Sequence, residues 1–188
     1  AGRHAIIFAR KNFDVTAVDL SESLLAIAKK NADDENLKIN FVHSDIRNFK
    51  SDDKFNLVLN LFTSFGYFES DEENFAVLQK AYDLLTDDGF FVLDFFNSYF
   101  LQQNLVESSE ENLGKVKIHQ FRKIKENRVT KKIVITKNGN LSHFEESVRM
   151  FTKDELVNAI QNIVFDIYKT FGDFLGNELE QFTSPRLI

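Results

Sequence analysis

The sequence predicts an α/β fold: a doubly wound, mostly parallel sheet with an inserted antiparallel meander of three strands. Three observations carry this. Short β-branched or aromatic runs alternate with helical spacings as far as Phe95, the pattern of parallel strands joined by helices. Two of these runs lead into acids, Asp19 and Asp45, where chemistry gathers at strand ends. From residue 114 onward the apolar period drops to two, and Asn138-Gly139 is a strong hairpin signal.

The elements follow in order. Residues 3–12 read as the last turns of a helix, and residues 14–19 as a buried strand. Ser21 is a candidate N-cap for a helix whose apolar face holds Leu24, Leu25, Ile27 and Ala28. Short strands are expected at residues 39–42 and 55–61. Ser70 with Glu73 has capping-box spacing, and Phe75, Leu78, Tyr82 and Leu85 step by three and four behind it. Residues 89–95 predict a strand buried on both faces. Alternation at Val116 and Ile118, at Val129, Ile133 and Ile135, and at Phe144, Val148 and Met150 marks the meander. Thr152 and Glu155 form a second capping box, and residues 164–170 predict a further strand. No repeat or low-complexity linker divides the chain, so residues 1–188 are expected to form one domain with residues 114–151 as an inserted lid.

Composition narrows the function. The chain has 188 residues, 43% hydrophobic and 28% charged, which is globular rather than disordered. It has no cysteine, so disulfides, thiolate metal sites and cysteine nucleophiles are excluded together. No metal site is expected. No apolar run approaches the roughly 18 residues that span a bilayer, and no charged-then-apolar leader opens the sequence. A cytoplasmic protein without a membrane partner is the expectation. The formal net charge of -6 argues against nucleic acid as a bulk partner. Locally the sign reverses: residues 114–137 hold nine Lys or Arg against one acid, Glu126. That run could attract an acidic substrate, but the simpler reading is a solvated face whose lysines discourage edge pairing. The acidic stretches at residues 69–73 and 107–111 read as exposed loops and helix starts.

The first 45 residues carry the chemistry. Nucleotide-binding α/β units place glycine at the first strand–helix turn and an acid at the end of the next strand, where a carboxylate accepts both ribose hydroxyls. Gly2 before a helix, with Asp19 closing the following strand, has that arrangement. The plain alternative is a helix start at Gly2 and a cap at Asp19. Asp45 follows another strand, where a carboxylate can accept from an exocyclic amine. The block of residues 60–68, with Gly66 among aromatics, suits a shaped pocket at a strand exit.

Gly2-Arg3-His4-Ala5, Val18-Asp19-Leu20-Ser21, His43-Ser44-Asp45-Ile46, residues 60–68 and Leu84-Leu85-Thr86-Asp87-Asp88-Gly89 resemble successive motifs of class I S-adenosylmethionine-dependent methyltransferases. Residues 147–152, 172–174 and 184–188 extend the resemblance to a small-molecule branch of that family. The resemblance implies a Rossmann-like methyltransferase sheet and S-adenosyl-L-methionine as cofactor. By position, Gly2 is the last glycine of the motif cradling the methionine part, with Arg3 near the cofactor carboxylate. Asp19 holds the ribose and Leu20 packs on adenine. Ser44, Asp45 and Ile46 form the segment that reads the adenine edge. Asn60, Leu61 and Phe62 line the floor beside the sulfonium. Phe65, Tyr67, His119 and His143 are candidate substrate-pocket contacts, and no catalytic base is assigned.

What the resemblance implies is in-line methyl transfer to a small-molecule acceptor, with catalysis resting on near-attack geometry. The rivals are a nicotinamide-dependent oxidoreductase and a non-catalytic nucleoside-binding module that docks protein or RNA. The family pattern also places a strand and the first motif glycines before Ala1, so the domain is expected to be N-terminally incomplete in these residues.

Overall fold

The computed structural model describes residues 1–188, which form two compact units, residues 1–53 and 54–188. No helix is long and apolar enough to cross a membrane.

The first unit is a helix followed by a strand–helix–strand. Helix α1 (Arg3–Arg10) starts from Gly2, whose φ of 69° is left-handed. Strand β1 (Thr16–Asp19) leads through Ser21 into α2 (Glu22–Asp34), with the Ser21 hydroxyl accepting from the Leu24 N–H at 3.3 Å. Strand β2 (Asn40–His43) pairs with β1 in parallel, Thr16 opposite Asn40 and Asp19 opposite His43. Ile6, Ala9, Ala28 and Ala32 are the buried positions of the helices. A Cβ on Gly2 would lie 2.6 Å from Ala28 Cβ, so this start of α1 requires glycine both for space and for φ.

The second unit begins with β3 (Phe55–Asn60), α3 (Asp71–Leu84) and β4 (Leu85–Leu93). Ser70 caps α3 by accepting from Glu73 N–H at 3.1 Å, as its spacing predicts. Strands β3 and β4 pair in parallel, with Asn60 opposite Leu93. Strand β5 (Phe95–Phe96) and helix α4 (Ser98–Gln103) follow. Phe65, Phe95 and Phe151 form the centre of the core, each at 1% exposure or less, with Leu78 beside them at zero. Their rings meet at tilted or edge-on angles, Phe65 to Phe151 at 5.4 Å and Phe65 to Phe95 at 6.0 Å.

The predicted meander is present as β7 (Val116–Lys125), β8 (Arg128–Lys137) and β9 (Asn140–Arg149), with Asn138-Gly139 at the second turn. A fourth strand, β6 (Ser108–Leu113), joins it, giving the order β6-β7-β8-β9. The acidic stretch 107–111, expected as loop and helix starts, is therefore largely edge strand. Helix α5 (Lys153–Asn162) carries the complete capping box: Thr152 Oγ1 accepts from Glu155 N–H, and Glu155 Oε2 accepts from Thr152 N–H.

Two expectations need correction. Residues 164–170 form no strand, because a groove of about 1250 Å³ lies between this segment, β4 and α5, and no backbone ladder spans it. Rings make the contact instead, Phe165 on Tyr82 and Phe91, and Tyr168 on Phe90. For the same reason β4 is not buried on both faces, and Phe90 is 55% exposed. The last strand, β10 (Arg186–Leu187), pairs antiparallel with β5.

Candidate functional site

In the first unit the parallel pair delivers its polar groups to one end. Asp19 closes β1, and its Oδ1 accepts from Ser21 N–H at 2.8 Å. Its Oδ2 carries no hydrogen bond, and the residue is exposed. Leu20 follows with 69% of its surface open, an apolar side chain left uncovered beside a half-used carboxylate. At the matching end of β2, Ser44 N–H donates to the Asp19 carbonyl at 3.2 Å, and the His43 ring bonds the Leu20 carbonyl. Asp19, Leu20, Ser44, Asp45 and Ile46 thus gather at the carboxyl end of β1 and β2.

Asp45 arrives partly engaged. Arg47 grips it with Nε at 3.1 Å to Oδ1 and Nη2 at 2.6 Å to Oδ2, and Arg47 N–H adds a third bond at 2.9 Å. The Arg47 side chain foremost, against a small burial penalty, holds the Asp45 carboxyl below its usual range. Asp45 is ionised at neutral pH, and each of its oxygens already accepts two bonds from Arg47, so a ligand donor would have to share or displace them.

In the second unit the exit of β3 is a strained turn. Phe62 and Thr63 both have positive φ, 54° and 61°. Such backbone costs on the order of 1–2 kcal/mol per residue for non-glycine side chains, and it concentrates where a site dictates shape. Asp94 secures the turn: Oδ2 accepts from Phe62 N–H at 2.7 Å, and its carbonyl accepts from Thr63 N–H at 2.9 Å. Arg186 completes the clamp, donating from Nε to Asp94 Oδ1 at 2.8 Å and from Nη2 to Thr63 Oγ1 at 3.2 Å. Neither Asp94 nor Arg186 stands out as a site residue in the sequence. The one available signal is that Asp94 ends an apolar strand, as Asp19 does.

The other expected pocket residues divide. Phe62 and Tyr67 are about half exposed, the Phe62 ring stacking on Phe174, and Leu61 is partly covered. Phe65 is not a pocket contact: at 1% exposure it is core, its ring taken up by Phe95 and Phe151. Burial first, and the Glu146 charge second, hold the Tyr67 phenol above its ordinary pKa. Tyr67 is therefore a neutral hydrogen-bonding group and a poor base.

His119 and His143 lie in one cross-strand row with Glu110 and Val134. The His119 ring is engaged by the Glu110 carboxylate, which also pairs with Lys117 at 2.7 Å. Two further lysines of the basic run behave alike, Lys131 with Glu146 and Lys132 with Glu145. The cationic strands are the central two, flanked by strands that carry acids, so part of the run is answered within the sheet and its lysines do not guard an edge. Arg128 is used differently: its guanidinium bonds the carbonyls of Phe68 and Ser147, tying β8 to the turn after β3.

Lys117 first, and His119 next, hold the Glu110 carboxyl down to about 2. Because the folded value lies below the ordinary value of about 4.3, this pairing stabilises β6 above that pH and is lost as pH falls toward 2. Protection factors of Ser108–Leu113, measured by NMR from pH 5 to 2 and corrected for the intrinsic exchange rate at each pH, should fall before those of β8. Unchanged protection would show that the backbone ladder alone holds β6.

A family model described as a methyltransferase domain matches residues 1–89. A glycine/sarcosine N-methyltransferase of Aphanothece halophytica is 34% identical over 95 residues, covering 50% of this chain and 36% of that protein. The chain spans about half or less of the curated relatives it matches, 47% and 36% of their lengths. An S-adenosylmethionine-dependent methyltransferase structure from Clostridium acetobutylicum superposes with a TM-score of 0.84 at 19% identity, covering 93% of this chain and 73% of that one. The CcbJ methyltransferase of Streptomyces caelestis superposes with a TM-score of 0.86 at 17% identity, covering 99% and 77%. At such identities these two structures establish the fold.

Proposed function

We propose that this chain is an S-adenosylmethionine-dependent methyltransferase, which binds S-adenosyl-L-methionine and methylates a small-molecule amine. The observation that carries the reading is Asp19 with its unused Oδ2 beside the exposed Leu20 at the end of β1. A carboxylate accepts two vicinal hydroxyls, and an uncovered aliphatic side chain accepts a purine face. The absence of room for a Cβ at Gly2 fits a backbone kept bare at the helix start. The amine is supported by a relative 34% identical over 95 residues, which is named as a glycine/sarcosine N-methyltransferase.

The cofactor supplies a methyl group on a positive sulfur, open to in-line displacement. This chain's residues then bind and orient. In the first unit Asp19 takes the ribose and Leu20 and Ile46 the ring faces, while Asp45 takes an exocyclic N–H and Arg3 a carboxylate. In the second unit Asn60, Leu61 and Phe62 are ligand contacts, with Tyr67 as a neutral donor toward the acceptor. His143 is a further candidate on the meander. His119 is engaged by Glu110. An amine acceptor that arrives neutral needs no base.

Asp19→Ala is expected to weaken S-adenosylhomocysteine binding by about 1–3 kcal/mol, the loss of a charged hydrogen-bond partner. Titration calorimetry measures it, with NAD as the second ligand. Unchanged affinity would leave Asp19 as no more than a turn residue, and binding of NAD alone would overturn the family's chemistry for this chain.

A further inference from the structure

Tyr67 stands where the meander joins the turn after β3. The residue before it, Gly66, accepts from Arg149 N–H at 2.8 Å, and an added Cβ there would meet Val148. Side chains alternate along a strand, so Val148 and Glu146 share one face of β9 and His143 takes the other. His119, in register with Val134 and His143, lies on that other face too. The face with Val148 turns inward at its base, since Val148 is buried there while His143 is open. The next row out on the same face is Arg122, Lys131 and Glu146.

Glu146 is half used. Lys131 Nζ approaches its Oε2 at 2.9 Å, and Oε1 accepts from nothing in the chain. The Tyr67 hydroxyl bonds nothing either. Both groups are reachable, the Glu146 side chain being 43% exposed and Tyr67 about half exposed. After burial, the Glu146 charge is the second cause that holds the Tyr67 phenol above its ordinary pKa, so the carboxylate acts on the space the phenol occupies. Arg122 is spent within the sheet, donating to the Val106 carbonyl, Ser109 Oγ and Gln120 Oε1.

We propose that Glu146 determines acceptor specificity, its free Oε1 taking an N–H of a cationic amine that the Tyr67 hydroxyl also contacts. The proposal rests on the methyltransferase reading and narrows its acceptor to amines that are protonated in solution. Such a nitrogen is positive before it enters. It is positive again once methylated, because the charge passes from sulfur to nitrogen as the N–C bond forms and the C–S bond breaks. A carboxylate favours both states, and a hydroxyl acceptor would gain nothing comparable. Lys131 tempers the site by cancelling part of that charge.

The test uses labelled S-adenosyl-L-methionine with a panel of primary and secondary alkylamines, amino acids and matched alcohols. Glu146→Gln keeps the shape of the side chain and its hydrogen bonding but drops the charge. It is expected to raise the KM of a methylated amine about tenfold. Lys131→Met uncovers the carboxylate and should lower that KM about threefold. An ion pair that merely holds β8 to β9 would not move KM in opposite directions when its two members are removed. An unchanged KM in Glu146→Gln, or a rise in both variants, therefore overturns the role of Glu146.

S-adenosylhomocysteine binding to wild type, measured by calorimetry, separates the two levels. A wild type that binds it yet methylates none of the amines overturns the amine acceptor and the role of Glu146 with it. A wild type that does not bind it overturns the underlying reading.

Discussion

Arg186→Met is expected to cost about 3–5 kcal/mol of folding stability, because it leaves a buried carboxylate without its countercharge. Asp94 is 1% exposed, and Arg186 donates two bonds to it while reaching on to Thr63. The loss falls on the strained turn, since Phe62 N–H would still hold Asp94 while Thr63 would lose its side-chain partner. Chemical denaturation measures it. Asp94→Asn added to Arg186→Met should recover a good part of the loss, because a neutral amide still accepts from Phe62 and no longer carries a charge. A cost near zero for the single variant would mean that water reaches the pair.

Gly66→Ala is expected to destabilise the second unit by roughly 2–5 kcal/mol, combining left-handed backbone cost with overpacking. Gly66 has φ 89°, and an added Cβ would sit 2.9 Å from both the Arg149 carbonyl oxygen and Val148 Cγ1. The two strands of chain cannot easily part, because Arg149 N–H donates to the Gly66 carbonyl at 2.8 Å. Arg149 is itself fixed: burial alone would lower its pKa, but bonds to Glu155 and Asp71 outweigh that and hold it above the ordinary value. The meander is thus stitched at its base to the turn after β3, at Gly66 and through Arg128. Denaturation should show the loss, and limited proteolysis should find the meander cut sooner. An undiminished stability would mean that β9 shifts to admit the methyl group.

The aromatic block at residues 60–68 shows how far local reading reaches. Its position at a strand exit follows from the apolar run before it, and Gly66 marks a special backbone. What the block cannot disclose is which rings face inward. Phe62 and Tyr67 are open, whereas Phe65 meets Phe95 and Phe151 from elsewhere in the chain. The basic run at residues 114–137 teaches the same thing. Its charge is plain in one dimension, but its acidic partners come from β6 on one side and β9 on the other.

Features that depend on neighbours a few residues apart are legible in the local sequence. The helices began at Ser21, Ser70 and Thr152, where side-chain caps act within one turn. The meander turned at Asn138-Gly139, and Asp19 stood at a strand end. Tertiary structure decided what depends on partners far along the chain. Residues 164–170 have strand composition, yet a strand needs a ladder, and theirs is absent across the groove. Residues 108–113 are polar, yet β7 supplies a ladder and they become a strand. The Asp94–Arg186 clamp joins positions 92 residues apart, and no local pattern encodes it. Burial and backbone pairing are properties of two segments at once, so a single segment cannot reveal them.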